Sequence, residues 1–307
     1  MKVLYCTPIT PEGEKRVTEL GYNVLVKKEK DLLQEDLQGV DVLVGMNPFA
    51  MIDVTKGNLQ FIQLQSQGFD HLPKKSLDGV TVANNQGGYA IPIGEWIVAK
   101  ILESYKHTRN IYRLQEERLW KKDFGMEELT GKKILFVGTG TIASEAAKRL
   151  QGFGVEIYGA NRSGKAAPFI ENILSLDKLD EILPEIDVLV PVLPWTKQTE
   201  DLISARMIEA LKPGSVFINI SRGQIVDEKA LIENVDKFLA VHLDVTKDEP
   251  LPSNSPLWEK ENVYISGHTS WVSQFVDKRR DDLIYENLRR FIQGESLLNI
   301  VDVRRGY

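Results

Sequence analysis

The chain has 307 residues, 42% of them hydrophobic, enough for two domains with cores of their own and with no need for a disordered tract. A formal net charge of −6, with short basic runs (Lys121-Lys122, Arg289-Arg290) set among acids and apolar residues, argues against a nucleic-acid or anionic-membrane surface. No apolar run approaches the ~20 residues that span a bilayer, Met1 to Thr10 does not read as a signal peptide, and the single cysteine, Cys6, excludes a disulfide framework or a thiol metal cluster; a cytoplasmic protein without a metal is expected.

Apolar runs at Val3 to Cys6, Tyr22 to Val26, Asp41 to Gly45, Phe61 to Gln65 and Val80 to Ala83 alternate with helical or turn segments such as Pro11 to Leu20. That alternation predicts a parallel, helix-covered sheet. From Pro92 to about Trp120 the residues Ile93, Ile97, Ile101 and Tyr105 recur at steps of four, the face of one long helix with Pro92 in its first turn. The strand rhythm restarts at Lys132 to Phe136. It continues through Val155 to Gly159, Asp187 to Leu193, Val216 to Ile220, Leu239 to Leu243 and Val263 to Ser266, a second and larger sheet. A last helix is expected between Ser273 and Gln293, with Ile284, Leu288 and Phe291 near one face and Gly294 as its stop. The expectation is an α/β protein of two doubly wound parallel-sheet domains separated by a cleft. One is discontinuous, 1–99 plus 275–307; the other spans 100–274.

Within the second domain, Val137-Gly138-Thr139-Gly140-Thr141-Ile142-Ala143 joins a strand to a helix. Such a turn aims backbone N–H groups and the helix's positive end at a pyrophosphate, so Gly138, Gly140, Thr141 and Ile142 are expected cofactor contacts. Ala143 stands where a third glycine usually stands and is small enough for close packing. An acidic residue about 20 residues on normally binds the ribose hydroxyls. Here Asn161, Arg162 and Ser163 occupy that place, offering a guanidinium and a hydroxyl to a phosphate and no carboxylate to repel it. NADP(H) is therefore expected over NAD(H), with NAD(H) possible. Pro194, Thr199, Ile220 and Ser221 are further expected cofactor contacts.

Three segments follow strands of this domain and each brings one chemically useful group: Arg222 after Asn219-Ile220-Ser221, Glu249 after Leu243-Asp244-Val245, and His268 after Ser266-Gly267. An Arg, a Glu and a His converging beside a nicotinamide suit reduction of a keto acid. The carboxylate needs a bidentate cation, the forming alkoxide needs a proton, and Glu249 would orient the imidazole and favour its charged form. His71, His107 and His242 read as structural.

Together with Leu64-Gln65-Ser66-Gln67-Gly68-Phe69-Asp70, Val82-Ala83-Asn84-Asn85-Gln86-Gly87 and Val226-Asp227-Glu228, these motifs make the chain resemble the D-isomer-specific 2-hydroxyacid dehydrogenases over essentially its whole length. The resemblance implies Arg222, Glu249 and His268 as the catalytic set, Gln67 and Gly68 as the substrate-carboxylate loop, and Asp244 as a contact of the nicotinamide amide. It departs from the family where Gly267 replaces the usual proline before the histidine, and where Thr269, Ser270 and Trp271 follow in place of small residues. Trp271 is expected as a substrate contact that shapes one wall of the pocket, the alternative being that its indole packs under the sheet. Glu249 argues against the formate dehydrogenase branch, which pairs its histidine with Gln. The expected activity is hydride transfer between NADP(H) and a small 2-keto or D-2-hydroxy acid such as glyoxylate or hydroxypyruvate. The alternatives are a dehydrogenase of larger aliphatic or aromatic 2-keto acids and a nucleotide-sensing, corepressor-like binding protein. A homodimer is expected through Lys100 to Leu129, where Tyr112, Leu119, Trp120 and Phe124 sit among charges and where related dehydrogenases dimerise.

Overall fold

The apolar runs become two all-parallel sheets in a computed structural model that describes residues 1–73, 77 and 79–302. Chain contacts divide it into two units, Met1–Tyr89 with Ser273–Tyr307, and Ala90–Val272. Residues 303–307, the end of the expected first domain, lie outside the described residues.

In the first unit β1 (Lys2–Tyr5), α1 (Pro11–Glu19), β2 (Asn23–Val26), β3 (Val42–Gly45), β4 (Phe61–Leu64) and β5 (Thr81–Ala83) follow in sequence, and the strands lie side by side in the order β2-β1-β3-β4-β5. The strands that lie inside the sheet are apolar apart from Lys2 at the start of β1 and the buried Gln63 in β4, as strands covered on both faces tend to be. Val42, Leu43, Val44, Phe61, Ile62 and Leu64 are fully buried. Thr10 caps α1 by accepting from the Gly13 N–H, with Pro11 in the first turn. The helix Val276–Gln293 closes this unit. Its Ile284 and Leu288 join the cluster around Val3, Val42 and Phe61, and Tyr22 Oη donates to Leu288 O at 2.8 Å. Gly294 ends it in the left-handed region at φ 71°, the conformation glycine takes without a Cβ clash.

The second unit begins with α2 (Ala90–Tyr105) and α3 (Thr108–Glu116). The single helix expected from 92 to about 120 is thus two, broken where His107 takes φ 47°, and residues 117–130 form no regular helix. The step-of-four face is nonetheless buried from Ile93 to Tyr105. At Gly94 an added Cβ would stand 3.0 Å from backbone of the helix at 141–150, so glycine lets the two helices pack closely. That packing places α2 wholly in the second unit, and the division falls between Tyr89 and Ala90 instead of between 99 and 100.

Then come β6 (Lys133–Val137), α4 (Thr141–Leu150), β7 (Glu156–Asn161), β8 (Asn172–Ser175), α5 (Leu179–Ile182), β9 (Val188–Pro191), α6 (Ala205–Ala210), β10 (Val216–Asn219), α7 (Glu228–Asn234), β11 (Ala240–Leu243) and β12 (Val263–Ile265), with strand order β12-β11-β10-β9-β6-β7-β8. The order reverses between β6 and β9, and in open parallel sheets ligands bind beyond the carboxyl ends at such a point. β8 was not foreseen. Its four residues lie half-exposed on the sheet edge and pair only with β7, so they lack the apolar run that marked the other strands.

Candidate active site

At the switch point Gly138 takes φ 104°, and an added Cβ would stand 2.2 Å from the Val192 carbonyl oxygen. Only glycine fits there. Gly140 precedes α4 without a side-chain cap, and a Cβ on it would meet nothing within 4 Å, so the approach to the helix's N-terminal N–H groups is open. The Thr141 hydroxyl is buried without a hydrogen-bond partner among the described residues. Ile142 and Ala143 are buried beneath it. An open helix N-terminus, a glycine turn that brings backbone close, and an unsatisfied hydroxyl are the features a pyrophosphate would complete.

Past β7, Asn161 spends its amide on shaping the loop. Nδ2 donates to Thr139 Oγ1 and to Lys165 O, each at 2.9 Å, while Oδ1 accepts from Ser163 N at 3.0 Å and Ser163 Oγ at 3.2 Å. The turn so held carries Arg162, Ser163 and Lys165 exposed on its surface. Arg162 Nη1 donates to Gln198 Oε1 at 3.4 Å. Beyond β9, Thr199 Oγ1 donates to Pro194 O at 2.7 Å and accepts from Thr196 N at 2.8 Å, which closes the 194–199 turn.

The three groups singled out for chemistry follow β10, β11 and β12, which are neighbours in the sheet. After β10, Asn219 Oδ1 accepts from Ser221 N and Ser221 Oγ, and Asn219 Nδ2 donates to Arg222 O, a side-chain turn that fixes where Arg222 leaves the chain. Ile220 and Ser221 are buried and Arg222 is half-buried, with Nη1 donating to Ser221 O at 2.8 Å. Gly223 lets this turn press against the next: a Cβ there would stand 2.0 Å from the carbonyl carbon of Thr246. Gln224 Nε2 donates to Lys247 O across the same contact.

In the loop after β11, Glu249 bridges. Oε1 accepts from Thr246 N at 3.3 Å and Oε2 lies 2.8 Å from His268 Nδ1. His268 stands in the turn after β12 with φ 59°, next to Gly267 with φ 63°. The imidazole is 41% exposed and the Glu249 side chain 39%, so the pair is open to a ligand. Asp244, at the end of β11, is buried, and its carboxylate is engaged by the residues around the histidine: Ser266 Oγ at 2.6 Å, Thr269 N at 2.8 Å, and Ser270 by both N–H and Oγ. Trp271 is 39% exposed, and its Nε1 donates to His268 O at 2.9 Å.

Gln67 and Gly68 belong to the first unit, in the half-buried turn after β4. Gln67 O accepts from Asn84 Nδ2 at 2.7 Å, whereas Gln67 Oε1 and Ser66 Oγ are buried without partners among the described residues. Of the supporting groups, Asn219, Gly223, Thr246 and Ser270 were not assigned roles from sequence. Asn219 carried a readable signal, an Asn two residues before a hydrogen-bonding Ser at a strand end.

His242 is buried on β11 with Nε2 2.8 Å from Ser104 Oγ. Ser104 Oγ donates its own proton to Lys100 O, so it accepts from Nε2–H and leaves Nδ1 as a buried, unpaired acceptor. Burial, and secondarily the charge of Lys100, push this imidazole down to about 3. It is a neutral core residue stacked on Tyr264, with ring centroids 4.7 Å apart.

A seven-stranded parallel sheet with a glycine turn at its switch point and an Arg, a Glu and a His on adjacent strand ends defines a dinucleotide-binding α/β oxidoreductase. Residues 98–270 match the NAD-binding domain of the D-isomer specific 2-hydroxyacid dehydrogenases, and the chain belongs to that family. It is 29% identical to a glyoxylate reductase of Thermofilum pendens, over 95% of this chain and 92% of that one. Its fold matches a family member from Aeromonas salmonicida with a TM-score of 0.87 at 26% identity, covering 98% of each chain. A second match is the enzyme of Xanthobacter autotrophicus solved with NADPH and MES, with a TM-score of 0.82, 25% identity, and coverage of 100% of this chain and 99% of that one. Among the described residues, no helix is long and apolar enough to cross a membrane.

Proposed function

We propose that the protein reduces small 2-keto acids, glyoxylate or hydroxypyruvate first among them, to D-2-hydroxy acids with NADPH. The observation that carries this reading is the His268 Nδ1 to Glu249 Oε2 contact at 2.8 Å on the strand end next to the Arg222 loop. A carboxylate only accepts, so Nδ1 carries a proton toward Glu249 and Nε2 is left to face substrate. When protonated, Nε2 donates to the carbonyl oxygen as negative charge develops there. The nicotinamide, when bound, supplies the hydride. Arg222 provides the planar cation that a 2-keto carboxylate pairs with, and the Asn219 turn holds its backbone in place. Gln67 and Gly68, in the first unit, complete the carboxylate loop, and that unit serves as the substrate domain.

Small substrates are favoured because the Trp271 indole is tied back onto the His268 carbonyl, where it takes room a large substituent would need. NADPH is favoured because Arg162, Ser163 and Lys165 stand on a turn without a carboxylate, and the Xanthobacter relative was solved with that cofactor. Rates with glyoxylate, hydroxypyruvate and larger 2-keto acids, each with NADPH and NADH, test the reading. Turnover is expected with the small acids and NADPH, and the double change Asn161→Asp with Arg162→Ala should erase or reverse the cofactor preference. A clear wild-type preference for NADH would overturn the cofactor assignment, and no turnover with any acid would point to a nucleotide sensor.

The protein acts as a C2 homodimer in the cytoplasm. Trp120 is fully exposed and Phe124 88% exposed in the irregular segment after α3, beside exposed Tyr112 and Leu119, an apolar surface suited to a second copy. The buried, unpaired thiol of Cys6 suits a reducing compartment. Sedimentation as a monomer at micromolar concentration would overturn the dimer.

A further inference from the structure

The turn that carries His268 has an unusual backbone. Gly267 and His268 are consecutive left-handed residues, at φ 63° and 59°, and the second has a Cβ that makes this conformation costly. A non-glycine residue stays in that region only where its surroundings over-determine it. The surroundings here are concentrated on one residue of the neighbouring strand. The backbone N–H of His268 donates to Asp244 O at 2.7 Å, and the Asp244 carboxylate gathers the flanking residues. Ser266 Oγ reaches Oδ1 from one side of the histidine; Thr269 N reaches Oδ1 and Ser270 Oγ reaches Oδ2, at 2.5 Å, from the other. The Ser270 N–H lies within reach of both oxygens, at 3.1 and 3.2 Å. Asp244 and Ser270 are 3% and 4% exposed, so these bonds form out of reach of bulk water and a missing one leaves a buried group unsatisfied.

We propose that Asp244 and Ser270 are positioning residues. Their buried latch holds the strained turn so that the His268 ring meets Glu249 and faces the reacting carbonyl, and the Asp244 carboxylate thereby serves the proton donor as well as any cofactor contact. This rests on the assignment of His268 as the proton donor. It goes beyond that assignment in naming what fixes the ring, and it treats Ser270, which touches no reacting atom, as a determinant of turnover. A shift of about 1 Å in a reacting group costs up to about 100-fold in rate, the scale expected when such a latch is loosened.

The test is a cycle of Ser270→Ala and His268→Ala, singly and together, with kcat and KM measured for glyoxylate and NADPH binding read by quenching of protein fluorescence. Ser270→Ala removes one oxygen atom and little volume. It should lower kcat by about 10- to 100-fold while NADPH binding holds, and in the His268→Ala background it should cost nothing further, because it acts through the ring that is gone. Ser266→Ala, which removes a different bond to the same carboxylate, should repeat the pattern on a smaller scale and serves if the Ser270 variant does not fold. Unchanged kcat in both serine variants overturns the proposal. So does an equal loss with and without His268, which would mark a general structural role, or a fall in NADPH binding that accounts for the loss. Near-normal turnover of His268→Ala alone overturns the parent assignment, an outcome read from a different arm of the cycle.

Discussion

The carboxyl ends of the two sheets are built on the same plan and finished with different chemistry. In the first unit most of the holding groups are amides, beside the Glu29 carboxylate that accepts from Met46 N and Asn47 N. Asn287 donates to Gln63 Oε1 at 2.7 Å and to Leu298 O and accepts from Leu298 N; Gln65 donates to Thr7 Oγ1 and Asn84 to Gln67 O. In the second unit the corresponding edge carries two carboxylates, an imidazole and a guanidinium, at Asp244, Glu249, His268 and Arg222. Amides both donate and accept, and they do not titrate, so they hold backbone in one arrangement at any working pH. Ionisable groups bring proton transfer and anion binding at the cost of needing partners for every charge. The amides of the first edge hold its shape, the ionisable groups of the second equip it for proton transfer, and each predicts its own response to substitution.

The largest effect belongs to the second edge. His268→Ala should cut turnover by roughly two to four orders of magnitude with the fold and NADPH binding intact, since the ring is half-exposed and packs little. Steady-state kinetics beside fluorescence titration would decide it. The mirror experiment is Asn287→Leu, which strands the Gln63 amide oxygen in a fully buried place and takes their side-chain partner from both half-buried Leu298 backbone groups. About 3 kcal/mol of unfolding free energy should be lost in urea, while kcat below the transition stays near normal. A variant of unchanged stability and poor turnover would erase the distinction between the two edges.

His242 sharpens the comparison, because it is an ionisable group in the second unit that behaves like an amide. The folded imidazole is held down to about 3 against 6.5 for an unhindered one, so the unfolded chain takes up the extra proton as the solution is acidified. Stability should be full above about pH 6.5 and fall toward pH 3 by at most about 1.4 kcal/mol per pH unit. Urea midpoints at pH 7.5 and 5 for wild type and His242→Gln would show it, with the slope flattened in the variant. An equal slope in both would assign the acid sensitivity elsewhere. The smallest effect is expected at Ser66. Removing its unpartnered hydroxyl as Ser66→Ala should leave stability within about 0.5 kcal/mol, and a several-fold rise in the KM for the keto acid would mark the hydroxyl as a substrate contact.

Much of this organisation is carried by local pattern. Parallel strands buried on both faces must be continuous apolar runs, and that is why Val42 to Gly45 or Val216 to Asn219 can be read directly, while the half-exposed edge strand Asn172–Ser175 cannot. The glycine turn, the Arg, Glu and His after successive strands, and Gly294 as a helix stop are likewise local, because each expresses a constraint of a few neighbouring residues. The break at His107 was hidden: the step-of-four face runs through Tyr105, and nothing in the composition marks the residue that turns left-handed. The contacts that finish the candidate site join residues far apart in the chain, Gly223 against Thr246 and Asp244 against Ser270, as does the structural contact of Asn287 with Gln63 in the first unit. Sequence alone determined the two sheets and the dinucleotide turn and singled out Arg222, Glu249 and His268 as candidates, since these follow from periodicity and side-chain chemistry. Tertiary structure alone decided which buried polar atoms hold the His268 turn, because a hydrogen bond between strand ends depends on the register and twist of strands that only the assembled sheet sets.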